Sequence, residues 1–220
     1  MKCLLCQSPF ENSLNFSSVF FLSASEEVVC LTCFSNFQAI SENHCPTCYK
    51  NNVKGQCQDC LHWQSQGQKV NHRALFSYNQ AMKDYFSSYK FQGDYLLRKV
   101  FAKSIKKALK SYRDYTLVPI PLSCSSLSSR GFNQVKAFLD EAKLPYRDLL
   151  GKNDAVKQSS KTRQERLASQ QFFYIRANEE LPAKVVLVDD IYTTGATIQL
   201  ASQLLHENGV KTVISFSLAR

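Results

Sequence analysis

No run of apolar residues in this 220-residue chain is longer than four, Val19–Leu22 and Val185–Val188 among them. A bilayer span needs about 20 consecutive, mostly apolar residues, so a membrane-spanning helix is excluded. Internal repeats are absent as well. The opening Met1-Lys2-Cys3 carries no secretory signal, so the expected location is cytoplasmic, where thiols stay reduced. Acidic residues are scarce where basic ones gather. Residues 61–220 hold 24 Lys/Arg against 13 Asp/Glu, a formal +11, whereas residues 1–60 hold three against five, a formal −2. A region this basic expects an anionic partner: nucleic acid, a phosphate metabolite or an acidic membrane face.

What is abundant is cysteine in a fixed spacing. Eight of the nine cysteines form four Cys-x-x-Cys pairs: Cys3/Cys6, Cys30/Cys33, Cys45/Cys48 and Cys57/Cys60. A two-residue gap lets both thiolates of a pair reach one tetrahedral Zn²⁺, and two pairs complete a closed structural site. Two Zn²⁺ ions are the expected count. Sequential pairing is favoured, because residues 49–56 suit a short hairpin; interleaved pairing, first with third, is sterically open. His44 and His62 adjoin the knuckles as substitute ligands, and Cys124, far off among serines, reads as a free thiol. Each Zn(Cys)₄ centre adds −2, which would bring the formal charge from +9 to +5. So short a segment cannot build a large core, and metal would supply much of its stability.

The densest chemistry lies at Val185-Val186-Leu187-Val188-Asp189-Asp190-Ile191-Tyr192-Thr193-Thr194-Gly195-Ala196-Thr197. Four apolar residues in a row predict a strand buried on both faces, and Ile198, Ala201, Leu204 and Leu205 predict a following helix. In open α/β sheets ligands sit beyond the carboxyl ends of strands. Here that position brings two carboxylates together with three threonines. Helix N-terminal N–H groups and the hydroxyls of Thr193, Thr194 and Thr197 suit a phosphate, and the acids suit ribose hydroxyls, directly or through Mg²⁺. The combination asks for a sugar phosphate. The run resembles the loop by which type I phosphoribosyltransferases hold phosphoribosyl pyrophosphate (PRPP). The competing reading is a plain strand–loop–helix junction with the acids capping the helix, which leaves the spacing unexplained.

The remaining segments fill out an α/β domain. Gln64–His72 reads as a linker and Arg73–Tyr78 as a short strand. Tyr95–Arg113 predicts an amphipathic helix capped by Asp94, with Leu97, Phe101, Ile105 and Leu109 on one face. Arg98, Lys99, Lys103, Lys106, Lys107, Lys110 and Arg113 form the other, either a solvated surface or a nucleic-acid track. Tyr85, Phe86, Tyr89 and Phe91 are assigned to the core. Tyr115–Leu122 predicts a strand ending at Pro119-Ile120-Pro121, and Arg130–Gln134 a loop-to-helix start. Lys152–Gln170 is polar, basic and poorly patterned, the expected mobile segment. Asn208-Gly209 ends the last helix before a strand over Thr212–Leu218.

Together these pieces resemble the ComF family over nearly the whole chain. The resemblance is carried by the four cysteine pairs, Val118-Pro119-Ile120-Pro121, Arg130–Gln134, Gln158 with Glu165 and Arg166, the PRPP-type loop and Leu218-Ala219-Arg220. Lys90 and Gly93-Asp94 also fall at family positions. It implies a type I phosphoribosyltransferase-like parallel sheet flanked by helices (73–220), a linker (64–72) and a small N-terminal double zinc-ribbon domain (1–63). Asp189 and Asp190 would serve the ribose, residues Thr193, Thr194, Gly195, Ala196 and Thr197 the 5′-phosphate, and Ile120, Arg130 and Lys90 the pyrophosphate side. Mg²⁺ with PRPP, single-stranded DNA and a ComFA-type ATP-dependent translocase are the implied ligands and partners, with membrane contact only peripheral and through partners. The implied role is carrying incoming single strands into the cytoplasm in natural transformation. Departures exist. Ser125, Ser126, Ser128 and Ser129 stand where the family has arginine, Lys161 where an apolar residue is usual and Ser169 where asparagine is.

Two other functions compete with DNA uptake. One is a metabolic phosphoribosyltransferase acting on a nucleobase or ammonia. Only 23 residues follow Thr197, however, leaving no evident set to read a base. The other is a bare zinc-ribbon adaptor, which leaves the loop idle.

Overall fold

The computed structural model of the chain describes residues 1–11, 28–154, 172–177 and 179–220. The cysteine region carries two short helices, α1 (Leu31–Ser35) and α2 (Gln58–Ser65). Strand β1 (His72–Phe76) leads into α3 (Gln80–Phe91), α4 (Ala102–Leu109) and β2 (Thr116–Pro119). After α5 (Cys124–Arg130) and α6 (Gln134–Glu141) come β3 (Leu150–Lys152) and β4 (Phe173–Ile175). The chain closes with β5 (Lys184–Ile191), α7 (Ala196–Glu207) and β6 (Thr212–Ala219).

Four strands form a parallel sheet in the order β1-β6-β5-β2, and β3 pairs with β4 in a small antiparallel sheet. The expected α/β class and parallel sheet are therefore present. Strand β5 lies between two neighbours, as its continuous apolar run requires. Successive side chains of a strand point to opposite faces, and β5 divides accordingly. Val186 and Val188 join a core with α3, α4 and α6; Val185 and Leu187 join another with α7 and the small sheet.

The cysteine region is built into these cores. Cys3, Val29 and Phe37 belong to the first core, and Cys45, Cys48, Cys57 and Cys60 to the second. Residues 38–40 run along β1: Ile40 N–H donates to Leu75 O at 3.0 Å and Ser77 N–H to Gln38 O at 2.8 Å. This covers an edge strand that would otherwise present unpaired backbone groups. The expected linker is correspondingly shorter than 64–72. Gln64 and Ser65 close α2, Val70 is buried, and His72 opens β1.

Three other expectations are corrected. The single helix over Tyr95–Arg113 is in three pieces, with 3₁₀ turns at Tyr95–Lys99 and Lys110–Tyr112 flanking α4, and the Asp94 side chain caps nothing. The break falls at Phe101, which is fully buried with its ring 4.8 Å from Phe37, 5.0 Å from Tyr85 and 5.1 Å from Phe76. Seating that ring overrides the local helical pattern. The hairpin over 49–56 is replaced by one antiparallel bridge between His44 and Asn51. Tyr49 and Asn52 adopt φ of 62° and 56°, left-handed conformations through which a strand cannot continue. Phe91, assigned to the core, is 79% exposed, whereas Tyr85, Phe86 and Tyr89 are buried. The segment expected to be mobile lies outside the described residues from 155 to 171, together with Gln158, Lys161, Glu165, Arg166 and Ser169. No helix among the described residues is long and apolar enough to cross a membrane.

Phe101 joins the cysteine region to both β1 and α3, so its truncation should be felt throughout. Phe101→Ala should lower unfolding free energy by about 3–5 kcal/mol, read as a shifted urea midpoint at unchanged slope. A loss below about 1 kcal/mol would show that the aromatic cluster does not anchor the region.

Candidate functional site

At the carboxyl ends of β2 and β5 lies a cleft of about 360 Å³ lined by Lys90, Ile120, Arg130, Gln134, Lys152, Asp189, Asp190, Thr193 and Thr197, with Tyr78, Pro121, Leu122 and Ile191. Six separate segments deliver these groups. Asn133 fixes two of them: its Oδ1 accepts from Val135 and Lys136 N–H at 2.9 and 3.1 Å, starting α6, and its Nδ2 donates to Ile120 O at 3.1 Å. The β2 end and the Arg130–Gln134 block are thereby held in one geometry.

The two acids occupy different environments. Asp190 is buried, and its Oδ2 takes a hydrogen bond from Gln134 Nε2 at 2.5 Å and lies 2.6 Å from Lys90 Nζ. Arg130 in turn donates to Gln134 Oε1. Lys90, expected toward pyrophosphate, is thus the counter-ion of Asp190, and Gln134 links that acid to Arg130. Asp189 accepts the N–H of Asp190 at 2.9 Å. Burial, followed by the adjacent Asp190 carboxylate, pushes Asp189 up to about 7, against the pull of Lys90 and Lys152.

The loop beyond β5 is set from beneath. Gly195 has φ +89°, and a Cβ there would lie 2.2 Å from Tyr192 Oη, so no other residue fits without displacing the ring. Tyr192 is buried and stacked on His72 at 4.0 Å between centroids. His72 is clamped between Ser215 Oγ and Ser217 Oγ, both at 2.9 Å. Burial, then the Arg220 charge, holds His72 well below the usual histidine range, in its neutral form. Thr193 and Thr197 face the cleft. The carbonyl of Thr194 instead accepts a hydrogen bond from Trp63 Nε1 at 2.8 Å. The composition of the loop gave no sign of Trp63 or Arg220 as its supports.

The cysteines assemble as Cys3, Cys6, Cys30 and Cys33 and as Cys45, Cys48, Cys57 and Cys60, the sequential arrangement, with all four sulfurs of each set within 4.8 Å of one another. Zn–S bonds of about 2.3 Å in a tetrahedron place sulfurs about 3.8 Å apart. The sulfur pairs Cys6–Cys30, Cys45–Cys60 and Cys48–Cys57 are 3.9, 3.8 and 3.5 Å apart. Backbone N–H groups of Leu5 and Cys30 point at Cys3 Sγ (3.4 Å each), and that of Cys57 at Cys45 Sγ (3.3 Å), stabilising thiolates. Burial opposes ionisation of Cys45, but Thr47 and nearby amides outweigh it and bring the thiol to about 6. These sets fit a double zinc ribbon. His44 stacks on Tyr49 and His62 approaches Gln66, so neither belongs to a set. Cys124 is an exposed free thiol.

A second, larger cleft of about 760 Å³ lies at the start of β2. Lys103, Lys106, Lys107, Lys110 and Arg113 surround an apolar and aromatic floor that includes Leu109, Tyr112, Tyr115 and Leu117. Arg98 turns away from this face, pairing with Glu141 at 3.0 Å and lying over the Tyr95 ring at 4.0 Å.

Residues 94–220 match the phosphoribosyl transferase domain family, the class to which the sheet and its terminal cleft correspond. The competence protein ComFC of Streptococcus pneumoniae is 48% identical over 220 residues, all of this chain and all of the relative. Its namesake from Bacillus subtilis is 34% identical, covering 99% of this chain and 94% of the relative. Competence protein F of Haemophilus influenzae is 25% identical, covering 74% and 78%. The chain belongs to the ComFC family of competence proteins.

The raised Asp189 gives a pH signature. The folded protein holds that proton more tightly than the unfolded chain, so the stability it confers is present in acid and lost as pH rises through about 7. Without added Mg²⁺, Asp189→Asn should melt above the parent at about pH 8 and lose that advantage only by about pH 4, near the unfolded carboxylate value. A difference in melting temperature that is the same at both values would contradict the assignment.

Proposed function

We propose that this chain supports DNA uptake in natural transformation from the cytoplasm, binding PRPP with Mg²⁺ in the smaller cleft and single-stranded DNA on the basic face. A double zinc ribbon (1–63) would be docked on a PRPP-binding domain (73–220). The observation that carries the reading is the convergence of Asp189, Asp190, Thr193, Thr197 and Arg130 on one cleft at the end of a central parallel strand. Asp189 and Asp190 would hold the ribose hydroxyls and any Mg²⁺, which when bound screens the pyrophosphate charge. Residues 193–197 would wrap the 5′-phosphate at the start of α7. Arg130, linked through Gln134 to Asp190, lies where pyrophosphate charge needs a cation. If a ribosyl bond breaks, positive charge develops on the sugar, and the paired carboxylates are placed to stabilise it. The eight paired cysteines would hold two Zn²⁺ ions in closed sites, without an open position for water. Family membership supports a ComFA-type ATP-driven translocase as partner.

Replacing both acids by alanine should abolish PRPP·Mg²⁺ binding in isothermal titration while the far-ultraviolet spectrum is kept. Unchanged affinity would refute the site. Release of pyrophosphate with ammonia or a nucleobase would move the protein to the metabolic class.

The second cleft supports DNA binding because it joins five cations to an aromatic floor, the pairing that single strands require. It shares no lining residue with the first. Charge reversal at Lys103, Lys106, Lys107 and Lys110 should remove single-strand binding and transformation while sparing PRPP affinity. The parent's binding should weaken with salt at a log–log slope of about −0.7 per neutralised phosphate. Parent-like binding by the reversed variant would reduce this face to a solvated surface.

A further inference from the structure

The loop that closes the PRPP-type cleft is tied, carbonyl by carbonyl, to the second cysteine set. The Arg220 side chain is 6% exposed, and its Nη1 donates to the carbonyls of Tyr192, at 3.3 Å, and Thr193. Its Nη2 donates to Cys48 Sγ at 3.3 Å and to Asp59 Oδ2 at 3.0 Å, and the guanidinium lies 4.8 Å from the Tyr192 ring centroid. Trp63, on the same helix as Cys60, takes the next carbonyl, that of Thr194, at 2.8 Å. Three consecutive carbonyls are therefore bonded to groups carried by, or bonded to, one cysteine set.

The geometry of the peptide unit gives this a consequence. In a trans peptide, C=O and the following N–H point in opposite directions. Holding the carbonyls of 192, 193 and 194 toward the cysteines turns the N–H groups of 193, 194 and 195 the other way. Successive N–H groups facing one hollow make an anion-binding nest. A set of four thiolates around a divalent cation carries a net −2, which binds and orients a guanidinium more firmly than neutral thiols would.

We propose that Arg220 and Trp63 are positioning residues through which the second cysteine set, when loaded with metal, holds the phosphate loop in its anion-binding form. Arg220 touches no ligand in this scheme; it acts through the peptide planes it fixes. The inference rests on the reading that the cleft takes PRPP, but its first test does not.

That test is amide hydrogen exchange on the full chain without ligand, comparing the parent with Arg220→Met and Trp63→Phe. Exchange should quicken at residues 193–195 in both variants, more in Arg220→Met, while β5 and β6 keep parental protection and zinc content stays at the parental value. Loss of a charge-assisted hydrogen-bonded tie corresponds to a roughly tenfold to hundredfold weaker PRPP·Mg²⁺ affinity in Arg220→Met. Arg220→Lys should not restore it, because an ammonium cannot span a carbonyl pair and a thiolate together. Parental exchange at 193–195 in both variants, or a rise shared equally with β5 and β6, would overturn the proposal. If Arg220→Met does not fold, Trp63→Phe alone decides, since it keeps an aromatic ring at that position and removes the indole N–H. Should the parent bind no PRPP, the ligand reading fails, while the exchange result still decides whether the tie exists.

Discussion

A central strand hydrogen-bonded along both edges and buried on both faces can meet polar ligands only at its ends, and the rest of this molecule follows from that constraint on β5. Its register with β2 and β6 puts Pro119 opposite Val188, and Asp189 opposite Ser217. The acids emerge where the sheet stops, and other cleft residues reach that spot from the loop after β2, the α5–α6 block, the end of α3 and β3 of the small sheet. Because a slip of one residue would exchange the two faces, the same register keeps Val186 and Val188 under the α3–α4–α6 layer and Val185 and Leu187 under α7. Core packing and ligand geometry are one specification.

The cysteine region answers a different need. Strand β1 is an edge, and residues 38–40 cover it while the two cysteine sets contribute to the cores on opposite faces. A segment of about 60 residues has a small interior and is marginal as a fold of its own. Here it gains by sharing Phe37, Phe76 and Phe101 with the larger domain. Its acidic balance also faces Arg220, which is half a clamp on the loop and half a counter-ion for Cys48 and Asp59.

Local patterns carried much of this. Four apolar residues before two acids were enough for β5 and its cleft, and Cys-x-x-Cys spacing was enough for four metal-type pairs but not for which pairs share a set. What local pattern could not carry was anything decided by a distant neighbour. Phe101 looks like one more apolar residue on a helix face, and only the aromatic rings of residues 34, 37 and 76 explain why the helix breaks there. Lys90 looks like a free cation until Asp190 is placed 2.6 Å away. Trp63 and Arg220 lie 131 and 26 positions from Thr194, with no periodicity or motif to join them to it. A lone tryptophan three residues after a knuckle, and Arg220 in the terminal run Leu218-Ala219-Arg220, were the available hints.

The pairing of β1 with β6 sets an order of events. Residues 72–76 find their sheet neighbours at 215–219, 143 positions further along the 220-residue chain. Until synthesis has reached β6, His72, Ala74 and Phe76 have no sheet to enter, and the cysteine region has no completed edge to cover. Long-range parallel pairing of this kind is slow to form. The nascent chain therefore carries an unfinished, partly apolar first half through most of its translation, the interval in which such surfaces aggregate or meet chaperones. Early metal capture by local Cys-x-x-Cys pairs would give that half some structure while it waits.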